Sequence, residues 1–385
     1  MKPYRYLMPT EVLFGAGRFE ELGKSCRVYG QRPLIITGRN SARTHGFLER
    51  ALAQLPGAVI FDQVEENPVT ETCERGATLC RERGCDVVVA IGGGSPMDVA
   101  KAVAGLALNP EPCRAYFGAD LFKHGVLPIL AVPTTAGTGS EVTPYAVIVD
   151  SALHAKRTIS GRQLFPAVAI LDPELTVPLP RAVTIQTGLD ALSQAMEGMV
   201  SRKSTEVGDA LALEACRLIA AWLPRVAYNG ADIEGRTSLL HAAMLAGCVI
   251  AQSGTTLVHG MGYYFTLEYG VAHGLANALL LTPLFRYNAQ FEPAKVAALA
   301  GALGFPADPI TAHAGAQISA AIHALLKELG VPPAAKDACV SAEAFAGWSK
   351  QIHADPYRYR NQVGNITVED IHRFFLESYE GVGAE

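Results

Sequence analysis

Little in this chain points outward to a polymer or a bilayer. Its 385 residues carry a formal charge of -5, and charged residues make up only 18%. The cations are scattered, without the basic stripe that nucleic acid requires or a polybasic segment for a membrane surface. No run approaches the roughly 18 apolar residues of a membrane span, and the opening Met-Lys-Pro-Tyr-Arg-Tyr-Leu-Met-Pro has no apolar signal core, so the expected location is the cytoplasm. The eight cysteines include no CxxC pair. That suits buried reduced thiols better than disulfides or a zinc knuckle, and none reads as catalytic. Internal repeats, low-complexity tracts and long linkers are also missing.

What is present is a large apolar complement, 49% of the chain, enough for two domains and a sizeable core. In the first half, short β-rich runs at Pro33 to Thr37, Ala58 to Phe61, Asp86 to Ile91, Ile129 to Val132 and Ala146 to Val149 alternate with helical stretches such as Thr70 to Arg83. This alternation predicts an open, mostly parallel α/β sheet. Strand signals fade after Val177-Pro178-Leu179-Pro180, which puts a boundary near 180. Beyond it the spacing predicts a helical bundle: a helix from Ser204 or Thr205 to Pro224, then about Asp232 to Ala251, Ala312 to Leu329 and Val368 to Tyr379.

Two turns in the first half are built for anions. Val87 to Lys101 reads as a buried strand, a bare loop of Gly92, Gly93 and Gly94, and a helix with Ser95 as N-cap, Pro96 at its first position and Asp98 as capping-box acid. A pyrophosphate could approach the main-chain N–H groups there, although a capped helix after a tight turn has the same pattern. The second, Pro133-Thr134-Thr135-Ala136-Gly137-Thr138-Gly139-Ser140, offers hydroxyls to phosphate and ribose, or satisfies its own backbone. Each follows a strand that reads as parallel, and such sheets bind ligands at the carboxyl ends of their strands.

In the helical half, Asp190 and Gln194 lie four apart on one helix face. His259 and His273 occupy apolar, glycine-flanked settings. Two such histidines with an Asp make a metal site as natural a reading as two satisfied core imidazoles.

At this point the motifs match a known family along nearly the whole chain. MPTEVLFGAG at 8–17, EENP at 65–68, GGGSPMDVAK at 92–101, PTTAGTGSEVTP at 133–144, LDP at 171–173, TGLDALSQAMEG at 187–198 and the histidines of VHG and AHG resemble the iron-containing (group III) alcohol dehydrogenases. The resemblance implies an α/β, Rossmann-like dinucleotide-binding domain over 1–180 and an all-α, metal- and substrate-binding domain over 181–385, the dehydroquinate synthase-like fold. It implies hydride transfer between a nicotinamide and a small alcohol or aldehyde, with a divalent metal on the substrate oxygen, in a homodimer or larger homo-oligomer.

Carried over by position, Asp190, His259 and His273 match metal ligands, but the remaining ligand position holds Gln194 where the family pattern has His. A neutral amide oxygen is a weak donor, so affinity falls; Fe²⁺ and Zn²⁺ both remain, with a metal-free site as the alternative. Tyr263 stands where many members have a further His beside the nicotinamide. A phenol can pass a proton or orient a substrate oxygen, and it can equally be a packing aromatic. The resemblance assigns Gly93, Gly94 and Ser95 to the pyrophosphate, Asn67 and Asp98 to cofactor contacts, Thr134, Thr135 and Thr138 to the adenosine and phosphate side, and Lys156 to the ribose region. Gly38 replaces the acidic residue of NAD-preferring members. With Arg39, Asn40, Ser41 and Arg43 close in sequence, NADP(H) is favoured over NAD(H), against a solvated basic turn.

Apolar residues such as Phe165, Leu189, Met261, Tyr263 and Tyr264 are expected to line a site for short primary alcohols and aldehydes. Three readings compete: a metal-dependent alcohol dehydrogenase or aldehyde reductase, a metal-independent or functionalised-aldehyde reductase of the same fold, and a catalytically silent nucleotide-binding protein.

Overall fold

Val87 to Ile91 is apolar at every position, and a strand of that kind needs cover on both faces. In the structure, a computed structural model describing residues 3–153, 155–305 and 311–381, it obtains that cover. The described strands are β1 (Glu11–Phe14), β2 (Pro33–Gly38), β3 (Val59–Val64), β4 (Val87–Gly92), β5 (Gly118–Ala119), β6 (Ile129–Pro133), β7 (Tyr145–Asp150), β8 (Ala155–Ser160) and β9 (Val168–Leu171). Six form one sheet in the order β1-β9-β6-β4-β2-β3, every pair parallel. Side chains alternate along a strand, so Val87, Val89 and Ile91 pack with Phe19, Leu22, Phe47 and Leu48 on one face. Val88 and Ala90 pack with Cys73, Ala77, Met97 and Val103 on the other. Cys26, Cys73, Cys80 and Cys113 are free thiols inside these two cores.

The strand expected near Ala146 does not join this sheet. It is β7, antiparallel to β8 in a separate three-stranded sheet. Its alternating burial explains the difference: Ala146 and Ile148 point into the core while their neighbours are half-exposed, unlike the continuously buried β4.

The start of the helix after β4 also differs from expectation. The helix is Gly94–Leu106 with Gly93 as its N-cap, so Ser95 lies inside the first turn and does not cap it. Gly92, at φ 153°, leaves no room for a side chain, since a Cβ there would lie 2.7 Å from the Pro96 ring. The Asp98 carboxylate closes no capping box; it accepts hydrogen bonds from Ser140 Oγ (2.9 Å) and the Val147 N–H (3.1 Å), tying the helix to β7.

The chain divides into one unit of Leu7–Leu179 and another of Pro180–Glu385 with the residues before Leu7. The second unit is helical, and its helix starts are side-chain capped by Thr205, Asp232 and Thr367, the last in a capping box with Asp370. Gly330 and Gly381 end helices in the left-handed conformation. The helix expected to stop at Pro224 instead runs Glu206–Tyr228. Proline removes one internal hydrogen bond. The next turn persists because Val226 and Ala227 are buried, and Val226 lies so close to Gly235 that a Cβ there would meet it at 2.3 Å. Among the described residues, no single helix is long and apolar enough to cross a membrane.

Candidate active site

In the helical unit, three helices bring the metal-type residues together. Arg181–Val200 carries Asp190, Gln194 and Glu197, Leu257–Tyr269 carries His259 and Tyr263, and His273–Asn288 begins at His273. Gly274 permits the closest of these approaches: a Cβ on it would lie 1.8 Å from the Gln186 carbonyl oxygen. That contact brings His273 up to Asp190. One donor atom each from Asp190, His259 and His273 then lies within 4.8 Å of the others. Nε2 of His259 is 3.4 Å from Asp190 Oδ1, and Nε2 of His273 is 3.7 Å from it.

Glu197 orients this arrangement. Its fully buried carboxylate hydrogen-bonds His259 Nδ1 through Oε2, while Oε1 accepts from the Thr256 N–H (2.9 Å), the Thr256 hydroxyl (2.7 Å) and the His259 N–H (3.3 Å). The same carboxylate thus caps the positive end of the Leu257–Tyr269 helix and holds the ring. Burial disfavours the His259 cation, yet Glu197 and Asp190 outweigh it and push its pKa up to about 10. With Nδ1 bonded to a carboxylate, Nε2 is the nitrogen turned toward Asp190, as in a carboxylate–histidine–metal relay.

Gln194 donates from Nε2 to Asp190 Oδ2 at 3.2 Å, and its buried Oε1 has no hydrogen-bond partner among the described residues. An unmatched buried carbonyl oxygen beside a carboxylate and two imidazoles is a donor set that fits a divalent ion. Tyr263 stacks on His273 with ring centroids 5.1 Å apart and planes at 11°. Of the apolar lining expected from sequence, Leu189 and Met261 are completely buried. The Tyr264 ring packs at 5.3 Å from Trp348, and Phe165 is half-buried.

Two residues here escaped the sequence reading, and both carried a signal. Glu197 lies seven after Asp190, and Asn277 four after His273, each on the face its predecessor shares. Asn277, fully buried, directs Nδ2 at Asp190 Oδ1 (3.2 Å), His259 Nε2 (3.3 Å) and His273 Nε2 (3.3 Å).

In the α/β unit, the glycine turn and the threonine turn leave adjacent strand ends. Gly92 pairs with Pro133, and the Thr134 N–H donates to the Gly92 carbonyl at 2.9 Å. A Cβ on Gly93 would meet Thr135 Oγ1 at 3.1 Å, and one on Gly94 would meet Thr138 Cγ2 at 2.7 Å. These glycines therefore let the threonine turn close over the helix start, besides baring backbone N–H groups that have no intrahelical partner in the first turn. Gly38 ends β2, next to β4; Asn40 precedes the short helix Ser41–Thr44, and Asn67 is left-handed at φ 53°. Arg39 faces the half-buried Glu65 at 3.8 Å, and Arg43 faces Asp62 at 3.1 Å and Glu49 at 3.6 Å, with both guanidinium side chains exposed. Lys156 lies on β8 opposite Val149.

Beneath the turns, Lys101 is completely buried, donating to Ser140 Oγ (2.7 Å), Thr143 Oγ1 (3.3 Å) and the Tyr145 carbonyl (2.8 Å). Burial lowers its pKa to about 8, against the pull of Asp98 and Glu141. Burial raises that of Glu141 to about 7, against its own backbone N–H and Lys101.

Comparison with known proteins covers both units. The family model described as iron-containing alcohol dehydrogenase matches residues 9–173, and the one described as Fe-containing alcohol dehydrogenase family, C-terminal, matches 184–379. The NAD-dependent methanol dehydrogenase of Bacillus methanolicus is 32% identical over 371 residues, 95% of this chain and 97% of that one. The crystal structure of a 1,3-propanediol oxidoreductase matches with a TM-score of 0.93 at 31% identity, over 98% of this chain and 100% of that one. Sulfoacetaldehyde reductase from Bifidobacterium kashiwanohense, solved with NAD+, matches with a TM-score of 0.88 at 31% identity, over 98% of each chain.

Proposed function

The chain belongs to the iron-containing alcohol dehydrogenase family, whose members are nicotinamide-dependent alcohol dehydrogenases and aldehyde reductases acting on small molecules. On that premise we propose that it moves a hydride between NADP(H) and a short primary alcohol or aldehyde, using a divalent ion held by Asp190, His259, His273 and Gln194. The observation that carries this reading is the convergence of three donor atoms within 4.8 Å, with Glu197 orienting one imidazole. When bound, Fe²⁺ or Zn²⁺ would supply Lewis acidity toward the substrate oxygen.

The chain's own residues do the rest. Glu197 keeps His259 Nδ1 engaged, so Nε2 is the nitrogen directed into the site, and it releases its proton when an ion binds. Tyr263, stacked on His273, presents a phenol that orients the substrate oxygen or passes its proton. In the proposed division of labour, residues 1–180 bind the dinucleotide and 181–385 the ion and substrate. Gly93, Gly94 and Ser95 take the pyrophosphate at a helix N-terminus. Thr134, Thr135 and Thr138 contact the adenosine and phosphate side, Asn67 and Asp98 make further cofactor contacts, and Lys156 serves the ribose region. For the 2′-phosphate, Gly38 removes a carboxylate that would repel it, and the exposed Arg39 and Arg43 side chains offer two cations whose surface ion pairs are weak enough to exchange partners.

The test is metal content and aldehyde-dependent NADPH oxidation of the native protein beside Gln194→His. Restoring an imidazole should tighten ion binding about tenfold or more. No turnover of any short aldehyde with Fe²⁺, Zn²⁺ or Mn²⁺ added, or turnover confined to a sulfonate, phosphonate or sugar acid, defeats the reading.

A further inference from the structure

The Asn277 side-chain nitrogen reaches all three converging donors: Nδ2 is 3.2 Å from Asp190 Oδ1 and 3.3 Å from Nε2 of both His259 and His273. A point nearly equidistant from three atoms lies on the axis through the centre of their triangle. An ion held equally by those three atoms lies on that axis too, so the end of the Asn277 carboxamide faces the ion's place. The N–H groups now turned that way suit a metal-free site, where Asp190 Oδ1 accepts from one of them. They oppose a cation. The other end, Oδ1, is buried and has no hydrogen-bond partner among the described residues; it faces Gly262, where a Cβ would lie 2.2 Å from it. A carboxamide is nearly symmetric in shape, and a half-turn about its last bond exchanges a donor for an acceptor in the same space.

We infer that Asn277 is a further ligand of the ion, turning its carboxamide so that Oδ1 replaces Nδ2 on the axis when the ion enters. This rests on the reading that Asp190, His259 and His273 hold a divalent ion. Gln194 Oε1 is the second unmatched amide oxygen of the cluster. The donor set becomes one carboxylate, two imidazoles and two amide oxygens. Such a set suits ions that take five or six ligands, Fe²⁺ and Mn²⁺, over four-coordinate Zn²⁺. In this chain two carboxamides then stand in for the missing imidazole, and one of them also hydrogen-bonds the Asp190 carboxylate before an ion enters.

The experiment titrates Mn²⁺ and Co²⁺ into the chelator-stripped full-length protein, for wild type, Asn277→Ala and Asn277→Asp, with the metal-free melting temperature of each recorded. Expected are one Mn²⁺ per wild-type chain, binding at least about tenfold weaker in Asn277→Ala, and binding as tight or tighter in Asn277→Asp, which keeps an oxygen and loses the N–H donors. The visible bands of bound Co²⁺ should be weak in wild type and gain intensity in Asn277→Ala as a donor is lost. Equal affinity and spectra in wild type and Asn277→Ala overturn the inference, as does equal weakening in both variants, which would mean that the N–H group is what matters. If Asn277→Ala does not fold, the wild-type spectrum decides: intense bands of a four-coordinate Co²⁺ overturn the inference. A wild-type protein that binds no ion fails the underlying reading as well, whereas one that binds an ion indifferent to Asn277 fails this inference alone.

Discussion

Glu197 grips His259 at both the ring and the backbone, with one oxygen on Nδ1 and the other on the N–H of the same residue. A single buried carboxylate therefore caps a helix, fixes an imidazole and sets which ring nitrogen faces Asp190. Because the carboxylate only accepts, the Nδ1 it contacts must carry a proton, which leaves Nε2 as the nitrogen that gives up its proton to take an ion.

Glu197→Gln separates these roles. The amide still fills the space but presents a donor as well as an acceptor, so the imidazole is free to adopt the other tautomer. Ion affinity should fall by about 10- to 100-fold with the fold intact. Isothermal titration with Mn²⁺ reads the affinity and circular dichroism the fold; an unchanged affinity would mean that Glu197 serves the helix cap alone.

Gly38→Asp tests the cofactor proposal. Gly38 has no left-handed φ, and a Cβ there meets only the Val64 carbonyl oxygen at 3.8 Å and Pro96 Cγ at 4.0 Å, so a side chain enters without strain. The added carboxylate would bond ribose hydroxyls and repel a 2′-phosphate. The ratio of kcat/KM for NADPH over NADH should drop by about tenfold or more, equivalent to at least about 1.4 kcal/mol. A ratio that stays put would show that the ribose does not reach the end of β2.

Glu141→Gln should remove a pH-dependent weakness. Its carboxyl is held up to about 7 by burial, against an ordinary value of 4.5. Between those values the folded chain binds a proton that the unfolded chain releases, so stability falls as pH rises from about 4.5 and has lost its full increment above about 7. The difference in unfolding free energy between Glu141→Gln and wild type should grow from pH 5 to pH 8, by up to about 3 kcal/mol. Denaturant melts at the two pH values measure it, and a constant difference would place an ionised Glu141 comfortably in the core.

Most of the architecture was legible because it follows from local pattern. The unbroken apolar run at β4 required a sheet covered on both faces, and Thr205 announced a helix start. Local pattern failed where a tertiary contact outweighed it. Pro224 looked like a stop, but the burial of Val226 and Ala227 carried the helix past it. Ser95 looked like an N-cap, but Gly93 took that place because the threonine turn packs against Gly93 and Gly94.

By itself the sequence determined the α/β and helical halves, the family, and the candidates Asp190, Gln194, His259 and His273, because periodicity, turn chemistry and motif are all written locally. Only the tertiary structure decided that Glu197 and Asn277 belong with them. Glu197 meets His259 across 62 residues and Asn277 meets Asp190 across 87, and no local window says which helices will bring such pairs together. That was settled by helix packing, above all where Gly274 lets one helix press its first turn against the backbone of another.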